Sequence, residues 1–525
     1  MVALAVISNL LMFTAMVTPL MVNAQNTFYK SIDIDGDNTW GTQVTSIQDK
    51  FAIVGLNGCE GKRCLMWLLT NDNGIISLGT LYSKGLFDFS PSRGGSYFTT
   101  EGLHYLTGEI GTAQNDINIF IMQFDPYTGD SLWLKTYGEE LLDLSTRLIA
   151  VEDQQMLLYG SRLLQQDQIN RPIVTTWLLK LDTLGNIIWE RDIGIEDALN
   201  VPMNSCLMSS GNYLSIYGSC EPWMEYCNLF EGYGLYATKT DTSGTEVWTK
   251  LLRRGTRTHW SISDPILLDD GLVVLNFIND TFPMNADSIA LQDMLIWINE
   301  EGDIEREFTF KMDRTRNVNS LTKATNGDII GAGSIDVGDR DLGQAGWVFR
   351  LNSQGGLLWE RFIADVRFPL NLHRFNDVIE ANDGGIVLTG LLQDSFPNHD
   401  PFINNPNIWL VKLDSMGCLE PDCGSFQVMG AIVGTETPVQ LPKRAKLHLF
   451  PNPTDDYFQL RWLEENSFAY PLNVSIYNLQ GTLVFEQSFT KKPVIISSIN
   501  WPSGIYFIKV KNKAGLTLIQ KLIIQ

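Results

Sequence analysis

Short apolar runs alternate with polar turns along most of this chain, at a spacing that suits strands rather than helices. Met156-Leu-Leu-Tyr-Gly160 is one such run, and Thr176-Trp-Leu-Leu-Lys-Leu-Asp182 is the next. A turn through Gly185 then leads into Asn186-Ile-Ile-Trp-Glu-Arg191, and Ser205-Cys-Leu-Met208 opens a further unit. Strands punctuated by Gly, Asn and Asp predict an antiparallel meander. The turn Asp/Asn-x-x-Gly recurs along the chain, one residue longer at Asp125-Pro-Tyr-Thr-Gly129, and ends at Gly74, Gly129, Gly185, Gly244, Gly302, Gly355 and Gly417. A regular period of this length means one supersecondary unit copied many times.

Four strands per unit and seven units predict an all-β fold, a seven-bladed β-propeller over residues 25–424. Six turn glycines are followed by an apolar strand, but the seventh runs into Cys418-Leu-Glu-Pro-Asp-Cys423. The missing strand is found at Phe28-Tyr-Lys-Ser-Ile32, so residues 28–34 are expected to pair with residues 407–414 and close the ring. Trp133, Trp189, Trp248 and Trp359 each follow a turn glycine by four residues, and Trp177, Trp347 and Trp409 each precede one by eight. Recurrence at fixed positions of a strand predicts packing between blades. Phe124-Asp-Pro-Tyr-Thr-Gly-Asp-Ser-Leu-Trp133 resembles the tryptophan-docking repeat of quinoprotein propellers. The other repeats lack the full pattern, so the resemblance implies shared blade mechanics and no quinone cofactor.

Loop length separates the two faces of such a ring. Connections between first and second strands are tight (209–212, 269–271, 325–328, 382–385), and those between third and fourth are the glycine turns. Length variation falls between second and third strands (57–64, 161–175, 219–234, 279–293, 335–345, 391–406) and between units, on one common face. That elaborated face is where binding is expected. Within it, residues 221–233 carry Trp223, Tyr226, Phe230 and Tyr233 among three glutamates, a mixture suited to stacking on a sugar or gripping a protein. The same rings could equally form the loop's own small core.

The net charge of -22 argues against nucleic acid as a partner, because a polyanion is held mainly through Lys and Arg. Residues 1–24 are apolar and end in Val22-Asn-Ala24, which reads as a secretory signal, although no Lys or Arg precedes Lys30. No later segment is apolar enough to span a bilayer. Three local cysteine pairs, Cys59/Cys64, Cys220/Cys227 and Cys418/Cys423, are expected as disulfides in an oxidising compartment, leaving Cys206 as a buried thiol. Asp33, Asp35 and Asp37 alternate as calcium ligands do, but the glycine sits at the fourth position and Val44 stands where a bidentate Glu belongs. The five histidines are dispersed and no nucleophile or phosphate motif is present, so neither a cofactor nor catalysis is expected. Acidic residues meeting across the central channel remain the enzymatic alternative, a glycan-degrading one.

After Cys423 the repeat stops, and residues 425–446 read as a linker containing Gly430, Gly434, Pro438 and Pro442. Residues 447–525 predict a small immunoglobulin-like β-sandwich. Phe450-Pro451-Asn452-Pro453, Ile476-Tyr-Asn-Leu-Gln-Gly481, Ser503-Gly504-Ile-Tyr506 and a basic-apolar terminus from Lys521 follow in order. In this order at a chain end they resemble the type A sorting domain of type IX secretion substrates in Bacteroidota. The resemblance implies passage through the periplasm, engagement of the type IX translocon, and a sorting protease that removes the domain within the linker. The chain is thus expected to be a secreted or surface protein that binds a glycan or another protein.

Overall fold

In the computed structural model every regular element among the described residues is a β-strand. Described are residues 25–34, 38–59, 62–83, 89–91, 97–100, 102–113, 116–138, 143–152, 154–166, 172–196, 198–220, 233–256, 263–279, 292–311, 314–337, 343–365, 373–393, 406–421, 423–429, 447–450, 457–462, 471–478, 482–490, 494–512 and 517–524. The chain divides into two compact units, residues 1–441 and 442–525.

The larger unit repeats one antiparallel meander. Thr39–Ile47, Lys50–Cys59, Lys62–Thr70 and Ile76–Tyr82 form the first. In the second, Phe89–Pro91 and Tyr97–Thr100 both pair with Leu103–Ala113, followed by Asp116–Phe124 and Ser131–Tyr137. The third and fourth meanders are linked by a single parallel pairing of Val174 with Leu199, and the fifth and sixth by one of Gln292 with Arg316. The last consists of His373–Glu380, Ile386–Leu392 and Asn407–Leu413, completed by Phe28–Ile32 from the other end of the chain. Phe28 pairs with Lys412 and Ile32 with Ile408, as the absent seventh return strand required.

Each third strand ends in a turn built by one side chain. Asp182 Oδ1 accepts from the amides of Leu184 and Asn186 at 2.9 and 2.8 Å, while the Gly185 amide donates to Asp182 O at 2.9 Å. Asn71, Asp241, Asn299, Asn352 and Asp414 do the same work in their turns. The closing glycine takes φ from +67° to +87°, which an L side chain adopts only with strain. A second reason for glycine lies in the neighbouring sheet. Trp133 packs on Gly185, Trp189 on Gly244, Trp248 on Gly302 and Trp359 on Gly417; a Cβ at Gly244 would lie 2.9 Å from the Trp189 ring. Lys135, Arg191, Lys250 and Arg361, two residues further on, lie over the same four rings. The tryptophans expected to pack between blades therefore do so. Trp177, Trp347 and Trp409 lie in the core.

The pattern bends where the sequence lacks the aromatic. Thr80 meets Gly129, and Trp297 from a third strand meets Gly355. At the seam Phe28 takes the tryptophan's place, with its ring against Gly74 of the first meander. Gln25 extends the closure, its Oε1 accepting from the Ser415 amide and its Nε2 donating to Asp383 O, both at 2.6 Å.

One expectation is corrected. The linker does not begin at residue 425, because Phe426–Met429 forms a strand parallel to Phe362–Asp365 on the outer edge of the sixth meander. An outer strand leaves a row of unpaired backbone groups, and this apolar segment supplies partners for it. Gln427 holds it in place, donating to Gly417 O at 2.8 Å and accepting from the Leu419 amide at 3.0 Å. Disulfides join Cys59 to Cys64 and Cys418 to Cys423, and Cys206 is a buried free thiol. Cys227, the predicted partner of Cys220, and the signal at 1–24 lie outside the described residues.

In the smaller unit Leu447–Phe450, Tyr457–Trp462 and Val494–Ser497 form one sheet. Leu483–Phe489, Leu472–Asn478, Gly504–Asn512 and Thr517–Ile524 form the other. Phe458, Leu460 and Ile496 from the first meet Val474, Ile476, Ile508 and Leu522 from the second in one core. This is the expected sandwich.

Truncating Phe28 removes the ring that seals the first meander to the last. Phe28→Ala is expected to destabilise the larger unit by about 2 kcal/mol. The check is a lower urea midpoint at unchanged m-value.

Candidate functional site

From the second meander on, the first strands of successive meanders lie against one another in order, and the last, His373–Glu380, lies against the first, Thr39–Ile47. They therefore surround a common axis. Most carry a bulge, between Gly41 and Gln43, Ser145 and Arg147, Pro202 and Asn204, Val318 and Ser320, and Phe375 and Asp377. The residue after the bulge is polar each time, where an uninterrupted strand would bury an apolar one.

These polar residues bond around the axis from one meander to the next. Gln43 Oε1 accepts from the Tyr97 amide at 2.7 Å. Arg147 reaches both Asn204 (3.2 Å) and Asp264 (2.9 Å), and Asn204 Nδ2 donates to Asp264 at 3.0 Å. Asn276 Nδ2 donates to Asp293 and to Val318 O, both at 3.2 Å, while the Val318 amide donates to Asp293. Asn319 Nδ2 donates to Phe375 O at 2.7 Å and Ser320 Oγ to Asp377 Oδ1 at 2.6 Å. At the seam the Val44 amide donates to Asp377 Oδ2 at 2.9 Å, and Asn376 Nδ2 to Gly41 O at 2.7 Å. Asp377 thus joins three meanders with two oxygens.

Burial raises the carboxyls of this girdle, Asp293 and Asp377 to about 7 and Asp264 in the same direction against the pull of Arg147. Asp264 also pushes Asp377 upward through like charge. A third of the Asp264 side chain, 34%, still reaches water, so it faces an open axis rather than a dry core. A raised carboxyl in an open recess is what a general acid requires. Here, however, every girdle carboxylate is bonded to donors of a neighbouring meander, and Asp264 is ion-paired. Among the described residues no group of three or more His, Cys, Asp or Glu side chains is gathered to hold a metal ion.

Of the residues expected to bind ligand, Trp223, Tyr226 and Phe230 lie outside the described residues, and Tyr233 opens the strand Tyr233–Thr240. Of the calcium candidates, Asp35 and Asp37 lie outside them too, while Asp33 follows the strand Phe28–Ile32. Pro451, Asn452, Pro453 and Gly481 of the sorting motifs are likewise not described. Gly504 begins a central strand of the sandwich, on which Tyr506 is buried, donating to Pro502 O at 2.7 Å with its ring 5.3 Å from Trp501. Lys521 stands opposite Phe507 on the last strand. The girdle itself was not anticipated from sequence. Its signal is positional: Asn204, Asp264, Ser320 and Asp377 each precede a tight-turn glycine (Gly211, Gly271, Gly327, Gly384) by seven residues.

Residues 448–525 match the family described as the secretion system C-terminal sorting domain. The chain therefore carries a type IX sorting tail and is exported, to the cell surface or beyond it, and engages that secretion machinery. No helix among the described residues is long and apolar enough to cross a membrane. No curated protein matches the sequence. Among solved structures, the extracellular domain of a hybrid two component system from B. thetaiotaomicron shares 12% identity at a TM-score of 0.39, covering 95% of this chain and 60% of its own. A puromycin hydrolase shares 11% at 0.45, covering 90% and 59%. The polysaccharide lyase Uly1 shares 11% at 0.42, covering 72% and 90%. The chain thus spans about 60% of the length of the first two.

Asp377 gives the girdle a pH dependence of definite sign. A carboxyl raised on folding binds its proton more tightly when folded, so its stabilising effect is complete below about 4 and is lost as pH rises through about 7. Asp377→Asn keeps an acceptor for the Val44 amide and a partner for Ser320 while removing that charge. It is expected to be more stable than wild type at pH 8, on the order of 2 kcal/mol, with the advantage fading toward pH 4. Thermal denaturation across this range measures it.

Proposed function

We propose that this chain is an exported seven-bladed propeller that binds a glycan or a protein on its elaborated face, without catalysis and without a resident cofactor. The observation that carries the proposal is the division of connections between the two ends of the ring. At one end the described turns are short hairpins, most of them bonded by a side chain of the turn itself. At the other end lie all the long connections, between second and third strands and between units. Variation concentrated on one face of a rigid scaffold is the arrangement of a binding surface.

The girdle supports the non-catalytic half of the reading. Its carboxylates bridge neighbouring meanders, and their bonds to those strands give each a structural task. The sorting tail accounts for delivery. By its resemblance to type IX substrates, a sorting protease would remove it in the segment after Met429, leaving the ring closed at both ends. The calcium candidates at Asp33, Asp35 and Asp37 would then be an ordinary connection between meanders.

Two experiments test these readings. Deleting residues 447–525 is expected to hold the protein in the periplasm, read by fractionation; unchanged export would overturn the sorting role. The exported chain is expected to retain a glycan or surface protein in a binding screen equally with and without chelator. New chain ends in a glycan substrate, abolished by Asp264→Asn, would replace the binding reading with the enzymatic one.

A further inference from the structure

The open end of the axis on the elaborated face holds an unusual side chain. Counting ten residues back from each tight-turn position (Gln154, Gly211, Gly327, Gly384) gives Leu144, Val201, Asn317 and Arg374. Leu144, Asn317 and Arg374 are the second residue of their first strands and Val201 the third, on the side where the long connections arrive. Leu144, Val201 and Asn317 carry no charge, and Arg374 does.

Its neighbours fix its direction. His373 and Phe375 are both fully buried, with rings 5.7 and 4.2 Å from Trp409, so Arg374 leaves the strand on the opposite side. That is the side from which Asn376 reaches Gly41 of the first meander. Arg374 is exposed to water, yet surrounding protein lowers its pKa by desolvation, with no carboxylate acting on it. Its strand lies between Arg316–Lys323 and Thr39–Ile47, so it stands at the mouth of the axis rather than on an outer face.

Several guanidinium groups of the ring pair with carboxylates. Arg147 meets Asp264, Arg162 meets Asp192, Arg253 meets Glu307, Arg306 meets Asp270, and Arg350 meets Asp328. Among the described arginines of the ring only Arg254 and Arg374 have no hydrogen bond, ion pair or ring contact, and Arg254 lies exposed on an outer strand. In a chain with 60 acidic residues, a cation at this mouth that has recruited none of them leaves its counter-charge to be supplied from outside. A guanidinium offers a planar fork of donors matched to a carboxylate. Asn317, Asn319 and Asn376, the half-buried amides of the same two strands, and half-buried Trp40 of the first strand stand at this end of the axis. Amides and an indole suit the hydroxyls and faces of a sugar ring better than a peptide chain.

We propose that the mouth of the axis on the elaborated face binds an acidic sugar, with the carboxylate held by Arg374. This deepens the binding reading above and rests on it. The test is isothermal titration of the exported chain with oligogalacturonate, its neutral methyl ester, and an acidic peptide of equal charge. Wild type is expected to bind the acid at least about tenfold more tightly than the ester. Arg374→Gln is expected to erase that difference and Arg374→Lys to keep part of it, with unchanged thermal unfolding for both. Equal binding by Arg374→Gln, no binding of the acid by wild type, or an Arg374-dependent preference for the peptide would each overturn the proposal. A neutral glycan or protein bound independently of Arg374 would do so too, while leaving the binding reading intact. Failure of every ligand would remove both.

Discussion

A four-residue turn that closes on a left-handed glycine leaves a bare patch of backbone, and the neighbouring sheet lays an aromatic ring on it. Trp189 on Gly244 and Trp248 on Gly302 show the contact at its clearest, each ring sandwiched between backbone and a cation two residues along its own strand. The strain that restricts the turn position to glycine and the space that admits the ring are one requirement. Each sheet thereby fixes the next, so the order of the units along the chain becomes their order around the axis. Such an arrangement is sound only if the last unit meets the first. Phe28 on Gly74 completes it with a smaller ring.

The axis is held by different physics. Near the centre the sheets crowd together, and the bulges open room for side chains that bond sideways into the adjacent strand. Asp377, with donors from Ser320 and Val44, and Asn376, bonded to Gly41, join the last unit to its neighbours on either side. Aromatic packing at the rim and hydrogen bonding at the axis therefore converge on the same seam. This leaves one end of the ring with short turns and the other with connections free to lengthen. The mouth of the axis at Arg374 lies at that freer end, and its uncompensated charge contrasts with the saturated bonding three residues deeper at Asp377.

Much of the ring was legible in the sequence because its determinants are local. The Asp/Asn-x-x-Gly turns specify strand, turn and return within a few residues. The absent return strand after Gly417 pointed directly to Phe28–Ile32. The strand Phe426–Met429 was not legible, since a glycine- and proline-containing segment looks like a linker until the exposed edge it covers is known. The girdle escaped for a related reason. Asn204, Asp264, Ser320 and Asp377 differ in chemistry and share only a distance from the turn, so no residue-type motif announces them. Arg374 is harder still, because what distinguishes it is a missing partner. The sorting tail was legible through its motifs, and its match over residues 448–525 and the buried Tyr506 agree with that reading.

The central claim is that the two ends of the repeat array form one sheet, which makes a closed ring from a linear series of meanders. Native-state hydrogen exchange, resolved to single amides, tests it most directly. The amides of residues 28–32 are expected to exchange as slowly as those of residues 408–412, their partners across the seam, and to open together with them. Exchange of residues 28–32 at the rate of an unstructured chain, with residues 408–412 protected, would contradict the account.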